Sequence, residues 1–440
     1  MDRLSCAVCL AIVGAPVFVA AEDPAGHKAD DGIRVRVSTE LRLGARWSED
    51  DRFPLSFPFP PEFVPVGEPN VAMQTVSPGP SLEINKASLL LDVDLPRGIA
   101  AHTKIDFVDL YDRNPTSTDK WVDVDEAWIA FGKRYPSLAP LPGTSFYGLL
   151  GKAPKFERQP FRRLDSYGLV STAFNRMPDL QVQAGGSLGQ HVYFFGQVSN
   201  GNPLFMRDPN ALAGDNGTAL PPTPDPHLHT GFPILYEAEV EDLAFDGRME
   251  YGGGAGLRWA PTGGKVGIDL LGYYYRTRLS QRARLNGTFY EGDLDILDVG
   301  GMSLPTSGDR REEMGGNVDL RLGELSAFGQ VVKEKVAGLP RLGFEVEAAY
   351  RLAIGDMGDP GALFTAIQPA VRFSRIDNGF VAPPGYPAPS LAWDWTKIDF
   401  GLRLTIIRNL DLTVEYSHND IGAKRKIHHD EALATLRLRL

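Results

Sequence analysis

Strict alternation of apolar and polar residues in the stretch from Ile33 to Trp47 constrains the fold of this 440-residue chain more than any other feature. The odd positions are mostly apolar, and the even positions include Arg34, Arg36 and Arg42. A period of two is the pattern of a β-strand with two chemically different faces. The stretch exceeds the ~5–6 residues of a usual soluble strand and suffices for the ~9–11 residues of a bilayer-crossing strand. It predicts a strand of transmembrane length.

The same alternation recurs along the chain, in residues 87–95, 344–352, 399–406, 410–417 and 434–440. Short breaks alternate with long ones, among them the Pro-rich segment 48–82, interpreted as the first surface loop, and the segment 419–430, interpreted as the last. Such asymmetry is typical of outer-membrane barrels. The sequence predicts an all-β protein, a transmembrane antiparallel β-barrel of sixteen strands with long extracellular loops.

The first 21 residues have the pattern of a secretory signal peptide. The apolar run Leu4–Ala15 is too short to span a membrane, and Val19–Ala21 supplies small residues for cleavage. Both cysteines of the chain, Cys6 and Cys9, lie in this segment, so the processed chain would hold no thiol. We expect a mature protein of residues 22–440 that forms a single barrel.

Composition and motifs argue against several other functions. The net charge of −11 disfavours a nucleic-acid partner, which requires a basic face. The histidine pairs His227/His229 and His428/His429 lie in polar segments interpreted as loops, with no third ligand at a fixed spacing. The glycine run 252–256 opens no helix, so it is not a nucleotide-binding fingerprint, and small residues there suit a packed wall or a subunit contact. We expect no catalytic residue, no cofactor and no metal.

Two basic segments are candidates for an anion pathway. Arg34, Arg36 and Arg42 share the polar face of the first strand, which would line a barrel lumen. The alternative is a solvated wall whose arginines pair with Glu40 and with acids on neighbouring strands. The second segment, KAPKFERQPFRR, contributes the rest of the predicted pathway, and only one acid opposes its five cations. Its basic residues are Lys152, Lys155, Arg158, Arg162 and Arg163.

Three stretches, VDVDEAWIAFGK (122–133), FYGLLGKAPKFERQPF (146–161) and FFGQVSNGNP (194–203), resemble the phosphate-selective porin O and P family. The resemblance spans nearly the whole mature chain, through short motifs. It implies a sixteen-stranded trimeric barrel in which the third loop, here 153–176, folds inward as a constriction. It further implies a basic lumen for phosphate or related anions. The terminal Leu440 departs from the usual pattern, since such barrels commonly end in an aromatic residue.

The expected function is therefore passive diffusion of small anionic solutes across the bacterial outer membrane, by a non-enzymatic homotrimer surrounded by lipid and lipopolysaccharide. One alternative is a channel for organic acids or sugars. An aromatic slide would favour sugars, but Tyr273, Tyr274 and Tyr275 cannot all face inward. The other alternative is an outer-membrane hydrolase built on a barrel, which would need a Ser–His pair at the rim.

Overall fold

The structure is a computed structural model, and the statements below concern the residues that it describes. These are residues 32–50, 52–54, 66–67, 69, 72–74, 79–109, 122–174, 178–201, 234–236, 249–261, 264–278, 284–286, 310–336, 338–355, 364–379, 394–422 and 426–440. The predicted signal peptide, residues 1–21, and its cleavage point lie outside them.

Sixteen long strands make up the described fold. They are β1 Arg34–Ser48, β2 Gly79–Leu95, β3 Ile99–Asp109, β4 Asp123–Phe131, β5 Ser145–Ala153, β6 Asp179–Leu188, β7 Val192–Ser199, β8 Glu250–Trp259, β9 Val266–Arg278, β10 Arg310–Leu322, β11 Leu325–Val336, β12 Leu339–Tyr350, β13 Ala366–Asn378, β14 Asp394–Ile407, β15 Leu410–Gly422 and β16 Lys426–Arg439. Short strand pairs, Arg52–Pro54 with Ala72–Gln74 and Ile234–Tyr236 with Arg284–Asn286, lie in connections between them, and Leu352–Ala353 continues β12 against β13.

The sheet closes on itself as a barrel. Each strand pairs antiparallel with the next, and β16 returns to β1 in the register Glu40↔Arg439 to Ser48↔Glu431. Closure leaves no unpaired sheet edge, which is the condition for strands to cross a lipid bilayer. The predicted sixteen-stranded antiparallel barrel is confirmed. In the described part of the chain, no helix has the length and apolar character needed to cross a membrane.

Two predicted surface loops are shorter than the sequence suggested. Strand β2 begins at Gly79, and Trp47 pairs with Pro80 at its start, a position where a missing N–H is tolerated. The segment 419–430 is not a loop, because it forms the paired ends of β15 and β16 with only 423–425 between them. Apart from two isoleucines, the residues of those strand ends are polar, charged or glycine on both faces, so the period-two signal stops before the strands do.

Along each strand, successive side chains face the lumen and the lipid in turn. On β9, the outer face carries Leu270 and Tyr274, and Tyr274 is 42% exposed. The inner face carries Tyr273 and Tyr275, and Tyr275 is 1% exposed. The tyrosine run therefore alternates, as the sequence required. Apolar residues are exposed on the outside of most strands, which is the pattern of a wall that faces hydrocarbon.

Close packing on the inner wall explains the glycine run of β8. A Cβ on Gly252 would lie 1.9 Å from Cδ1 of Tyr275, and one on Gly256 would lie 2.2 Å from Cζ of Tyr193. Only glycine leaves space for these two rings. The aromatic cluster that results forms a platform inside the barrel.

Residues 154–174, in the connection between β5 and β6, fold into the lumen and pack on this platform. The ring of Phe156 stacks on Phe195 with 4.2 Å between centroids. A short helix, α1 Leu169–Ala173, follows, and Val170 and Phe174 are fully buried in the same hydrophobic cluster. We call residues 154–174, the described part of this connection, the inward loop.

Candidate functional site: the barrel lumen

Carboxylates on the inner wall hold the inward loop in place. Glu347 on β12 accepts hydrogen bonds from the Gln159 side chain (2.9 Å) and from the backbone N–H of Arg163 (2.8 Å). Glu345, on the same face of β12, accepts from the backbone N–H groups of Val170 (3.0 Å) and Ser171 (3.2 Å) in the first turn of α1. These bonds to charged acceptors satisfy buried backbone donors that would otherwise lack partners.

Residues of three wall strands, β13, β14 and β15, form hydrogen bonds with the tip of the inward loop. Glu415 on β15 accepts hydrogen bonds from the backbone N–H groups of Asp165 and Ser166, and from the Ser166 hydroxyl at 2.6 Å. Arg372 on β13 donates to the carbonyl oxygen of Ser166 at 2.8 Å, and Lys397 on β14 donates to that of Tyr167 at 3.0 Å. Wall and loop therefore form one hydrogen-bonded unit.

The Asp165 side chain lies among three arginines of the wall. One Asp165 carboxylate oxygen is 3.9 Å from Arg42, 3.8 Å from Arg403 and 3.8 Å from Arg437. Burial alone would raise the pKa of Asp165, but these guanidinium groups outweigh it and hold the pKa below its usual value. We call Arg42, Arg403 and Arg437 the arginine triad. Because β1, β14 and β16 supply its members, only closure of the barrel brings them together.

Acids on the wall partly balance the triad. Glu40 accepts a hydrogen bond from Arg42 at 2.7 Å and another from Arg439 at 2.7 Å. Asp411 accepts from Arg437 at 2.6 Å. With Asp165, three acids therefore lie among these four arginines.

Two of the predicted pathway cations are neutralised where they lie. The Lys155 ammonium is 2.6 Å from Glu250 and 3.9 Å from Asp179, and it sits 4.3 Å from the centre of the Tyr275 ring. Burial would lower the pKa of Lys155, but Glu250 and other nearby acids raise it above its usual value. Arg163 lies 3.7 Å from Glu347 and donates to the Phe161 carbonyl oxygen at 2.7 Å.

A cavity of about 940 Å³ remains between the inward loop and the part of the wall nearest the short turns. Thirteen lysines and arginines line it, against five acids. The basic residues are Arg42, Lys133, Arg134, Lys155, Arg158, Arg162, Arg163, Arg258, Arg321, Arg351, Arg403, Arg437 and Arg439, and the acids are Glu126, Asp165, Asp269, Asp319 and Glu324. The lining of this cavity is thus basic although the whole chain carries a net charge of −11.

Five of the eight predicted pathway residues line this cavity: Arg42, Lys155, Arg158, Arg162 and Arg163. The other three do not. Arg34 and Arg36 are exposed at the start of β1, where Arg36 lies 3.5 Å from Asp94, and Lys152 is half-buried on β5. Arg162 does not point freely into the space, since its guanidinium stacks on Tyr167 at 3.4 Å from the ring centre.

None of the remaining cavity arginines was among the predicted pathway residues. Three of them, Arg403, Arg437 and Arg439, lie on the polar faces of strands that the alternation had identified. Their odd or even position in those strands was therefore enough to predict that they face the lumen. Arg258 gave no such signal. It pairs with Asp269 at 2.6 Å and donates to the carbonyl oxygen of Pro136 in the turn after β4, a contact that only the folded barrel creates.

Solved structures with the same architecture are outer-membrane channels. The chain is similar to the outer-membrane channel DcaP of Acinetobacter baumannii (TM-score 0.52, 10% identity, 94% of this chain and 100% of that chain covered). It is also similar to OprB of Pseudomonas putida (TM-score 0.51, 10% identity, 92% of this chain and 94% of that chain covered). The chain has the fold of an outer-membrane porin. No family model and no curated protein sequence matches it.

The surface of this porin-like barrel agrees with a membrane location. Leu270, Phe344, Phe400 and Val414 are among the large apolar side chains exposed around the outside. An exposed apolar surface of this extent on a closed barrel is stable in lipid and not in water, and even strand numbers are typical of bacterial barrels. The protein is located in a bacterial outer membrane.

Proposed function

We propose that this porin-like barrel is a passive channel that prefers small anions. Thirteen basic residues and five acidic ones line the cavity, and acids behind the lining, among them Glu40, Glu250, Glu347 and Asp411, offset part of this excess. The basic charge that remains carries this proposal. Charged side chains on a pore wall attract ions of opposite sign and repel those of the same sign. No reacting group is required, because a solute moves down its own gradient through the space beside the inward loop.

The arginine triad is the proposed point of strongest anion attraction. A charge ~4 Å from a permeating ion contributes about 1–4 kcal/mol, depending on the local dielectric. Guanidinium groups also bind phosphate and carboxylate oxygens in a bidentate manner, which ammonium groups cannot do. The pathway we propose includes the predicted residues Arg42, Arg158 and Arg162 together with Arg403 and Arg437.

Phosphate or a similar oxyanion is the solute class that the proposed pathway favours first. Organic acids are the second candidate, because the Asp165 carboxylate already lies within 3.9 Å of all three triad arginines. A carboxylate therefore fits the triad in size and charge.

Swelling of liposomes that contain the purified barrel tests the proposal. We expect organic anions to enter faster than cations of equal size, with neutral sugars between them. Liposomes that contain heat-unfolded protein serve as the control for leakage. Equal rates for the three classes would contradict an anion preference, and no swelling at all would contradict a channel.

We propose that the barrel assembles as a homotrimer through a patch of small residues on its outer face. In the row across β5 to β8, Gly148 pairs with Ala184, Ala184 with Gly196, and Gly196 with Gly253. A neighbouring row of the same face holds Ala255, Gly272 and Gly316. Small residues let two membrane-embedded surfaces approach closely, so this flat patch suits a second barrel better than lipid. The rest of the apolar exterior would contact lipid, and the long-loop rim lipopolysaccharide.

The double variant Gly196→Leu/Gly272→Leu is expected to convert the trimer to a monomer without unfolding it. A Cβ on Gly272 meets no atom within 4 Å, and one on Gly196 meets only a backbone oxygen at 3.9 Å. Native mass spectrometry in detergent measures the change. Ala432→Leu, on the outer face of β16, is the matched control and should leave the trimer intact. A trimer that survives the double variant would contradict this interface.

A further inference from the structure

Two His-x-Asp sequences lie side by side on the outer face of the barrel. His418 and Asp420 are on β15, and His428 and Asp430 are on β16. The antiparallel register places His418 opposite Asp430 and Asp420 opposite His428. Each histidine therefore faces the acid of the other pair. His428 and His429 were predicted to be loop residues, but both lie on β16, and only the pairing of β16 with β15 brings this group together.

Ligand-type atoms converge within this group. Nδ1 of His428 is 2.5 Å from Oδ1 of Asp420, and Nε2 of His418 is 3.6 Å from the same oxygen. One ligand atom each from His418, Asp420 and His428 lies within 4.8 Å of the others. Around a zinc ion each of these atoms would be ~2.0–2.2 Å from the metal, so two ligands can be at most ~4 Å apart. Side-chain rotation would have to bring the more distant of these atoms to that spacing on binding.

The fourth member of the group orients one of the ligands. Nδ1 of His418 lies 2.6 Å from Oδ1 of Asp430. If Nδ1–H donates to Asp430, Nε2 is left unprotonated, and it lies 3.6 Å from Oδ1 of Asp420. A carboxylate behind a histidine is the usual means by which proteins fix the ring of a metal ligand and raise its basicity.

The group lies just above the membrane boundary. The next outward-facing residues towards the membrane centre are Tyr416 and Ala432, and Ala432 pairs with Trp47 on β1. Tyr416 and Trp47 are both more than 40% exposed on the outer face, as expected of the aromatic girdle at the interface. The His–Asp group is one step beyond them, at the end of the barrel with the long loops. An ion from the external medium reaches it without crossing hydrocarbon.

We propose that His418, Asp420 and His428 bind one divalent transition-metal ion of the zinc class on the external rim of the barrel, with Asp430 holding His418 in position. Two imidazole nitrogens and one carboxylate oxygen select such ions over Ca²⁺ and Mg²⁺, which prefer oxygen ligands only. Three protein ligands leave a fourth position for water. The ion would tie the ends of β15 and β16 together, at a point separate from the lumen.

Zinc titration of the purified barrel tests this site. The protein is held in detergent and freed of lipopolysaccharide, whose phosphates bind divalent ions, and Zn²⁺ binding is measured by calorimetry. We expect one ion per chain. Asp430→Asn should weaken binding about 10–100-fold, as loss of a ligand-orienting carboxylate does. His428→Ala and Asp420→Asn remove ligands and should weaken it further. Heat-modifiable migration on gels verifies that each variant still forms a barrel.

The other closely spaced histidines supply the matched control. His227→Ala/His229→Ala removes a His-x-His sequence from elsewhere in the chain and should leave zinc affinity unchanged. Visible absorption of bound Co²⁺, lost in His428→Ala, would show direct coordination by the ring. Absence of stoichiometric binding would overturn the proposal and reduce the group to two cross-strand hydrogen-bonded pairs. Binding that survives His428→Ala, or that the His227/His229 variant abolishes, would overturn it as well.

Discussion

Replacing both Arg403 and Arg437 with glutamine is expected to lower the chloride-to-potassium permeability ratio about tenfold, since ~1.4 kcal/mol corresponds to that factor. Each arginine lies 3.8 Å from Asp165 at the wall of the cavity. Removing two charges at this range changes the energy of a permeating ion by more than ~1 kcal/mol, even at high dielectric. Of the arginine triad, only Arg42 would then remain beside the Asp165 carboxylate, whose negative charge would be less well balanced and would repel anions. Reversal potentials in planar bilayers give the ratio for each variant.

Arg36→Gln is the control for this experiment. Arg36 pairs with Asp94 at the exposed start of β1 and is not part of the cavity wall. Its loss changes the total charge of the barrel and leaves the charge beside the cavity as it was. We expect an unchanged permeability ratio. If the double variant at Arg403 and Arg437 also leaves the ratio unchanged, the arginine triad does not face the ion pathway.

Glu415→Ala is expected to release the tip of the inward loop and to raise single-channel conductance. The substitution removes the acceptor for the backbone N–H groups of Asp165 and Ser166 and for the Ser166 hydroxyl. Hydrogen bonds to a charged group contribute about 1.5–3 kcal/mol each, and the donors left unpaired add a desolvation cost. A loop that leaves the wall opens sites for trypsin after Arg162 and Arg163. Conductance and the rate of cleavage in the folded barrel are the two measurements.

A variant at a second inward-facing residue, Thr435, is the control that distinguishes release of the inward loop from a general disturbance of the inner wall. Thr435 is buried on β16 and makes none of the loop hydrogen bonds described above, so Thr435→Val perturbs the inner wall alone. We expect it to retain normal conductance and resistance to trypsin. Unchanged conductance and cleavage in Glu415→Ala would show that the other wall contacts, including those of Arg372 and Lys397, are enough to hold the loop.

The barrel was predictable from the sequence because each strand has a local signal, the alternation of apolar and polar residues. Alternation over 33–47 follows directly from a wall with lipid on one side and polar groups on the other, and the structure places β1 at Arg34–Ser48. The prediction was wrong where the environment of the strand changes. Beyond the membrane boundary, at His418 and Asp430, both faces of the strand are polar, so the sequence pattern no longer distinguishes a strand from a loop.

The candidate site was predictable only in part, because charge pairing depends on distant residues. Lys155 was an obvious pathway candidate by composition, yet its ammonium pairs with Glu250, a partner 95 positions away in the chain. Conversely, Arg403 and Arg437 stand in ordinary alternating strands, and their proximity to Arg42 depends on the closure of β16 against β1. Closure of the barrel also determines which arginines lie around the Asp165 carboxylate. No local sequence pattern predicts that grouping.

The reversal potential of the unmodified barrel tests the central claim most directly. Single channels are recorded in a planar bilayer between two concentrations of potassium chloride, at ionic strengths low enough for wall charges to act over several ångströms. A basic cavity in the ion pathway predicts that the current vanishes at a potential of the sign set by the chloride gradient. A reversal potential at zero, or one of the sign set by potassium, would contradict the proposal that the arginine-lined cavity is an anion pathway.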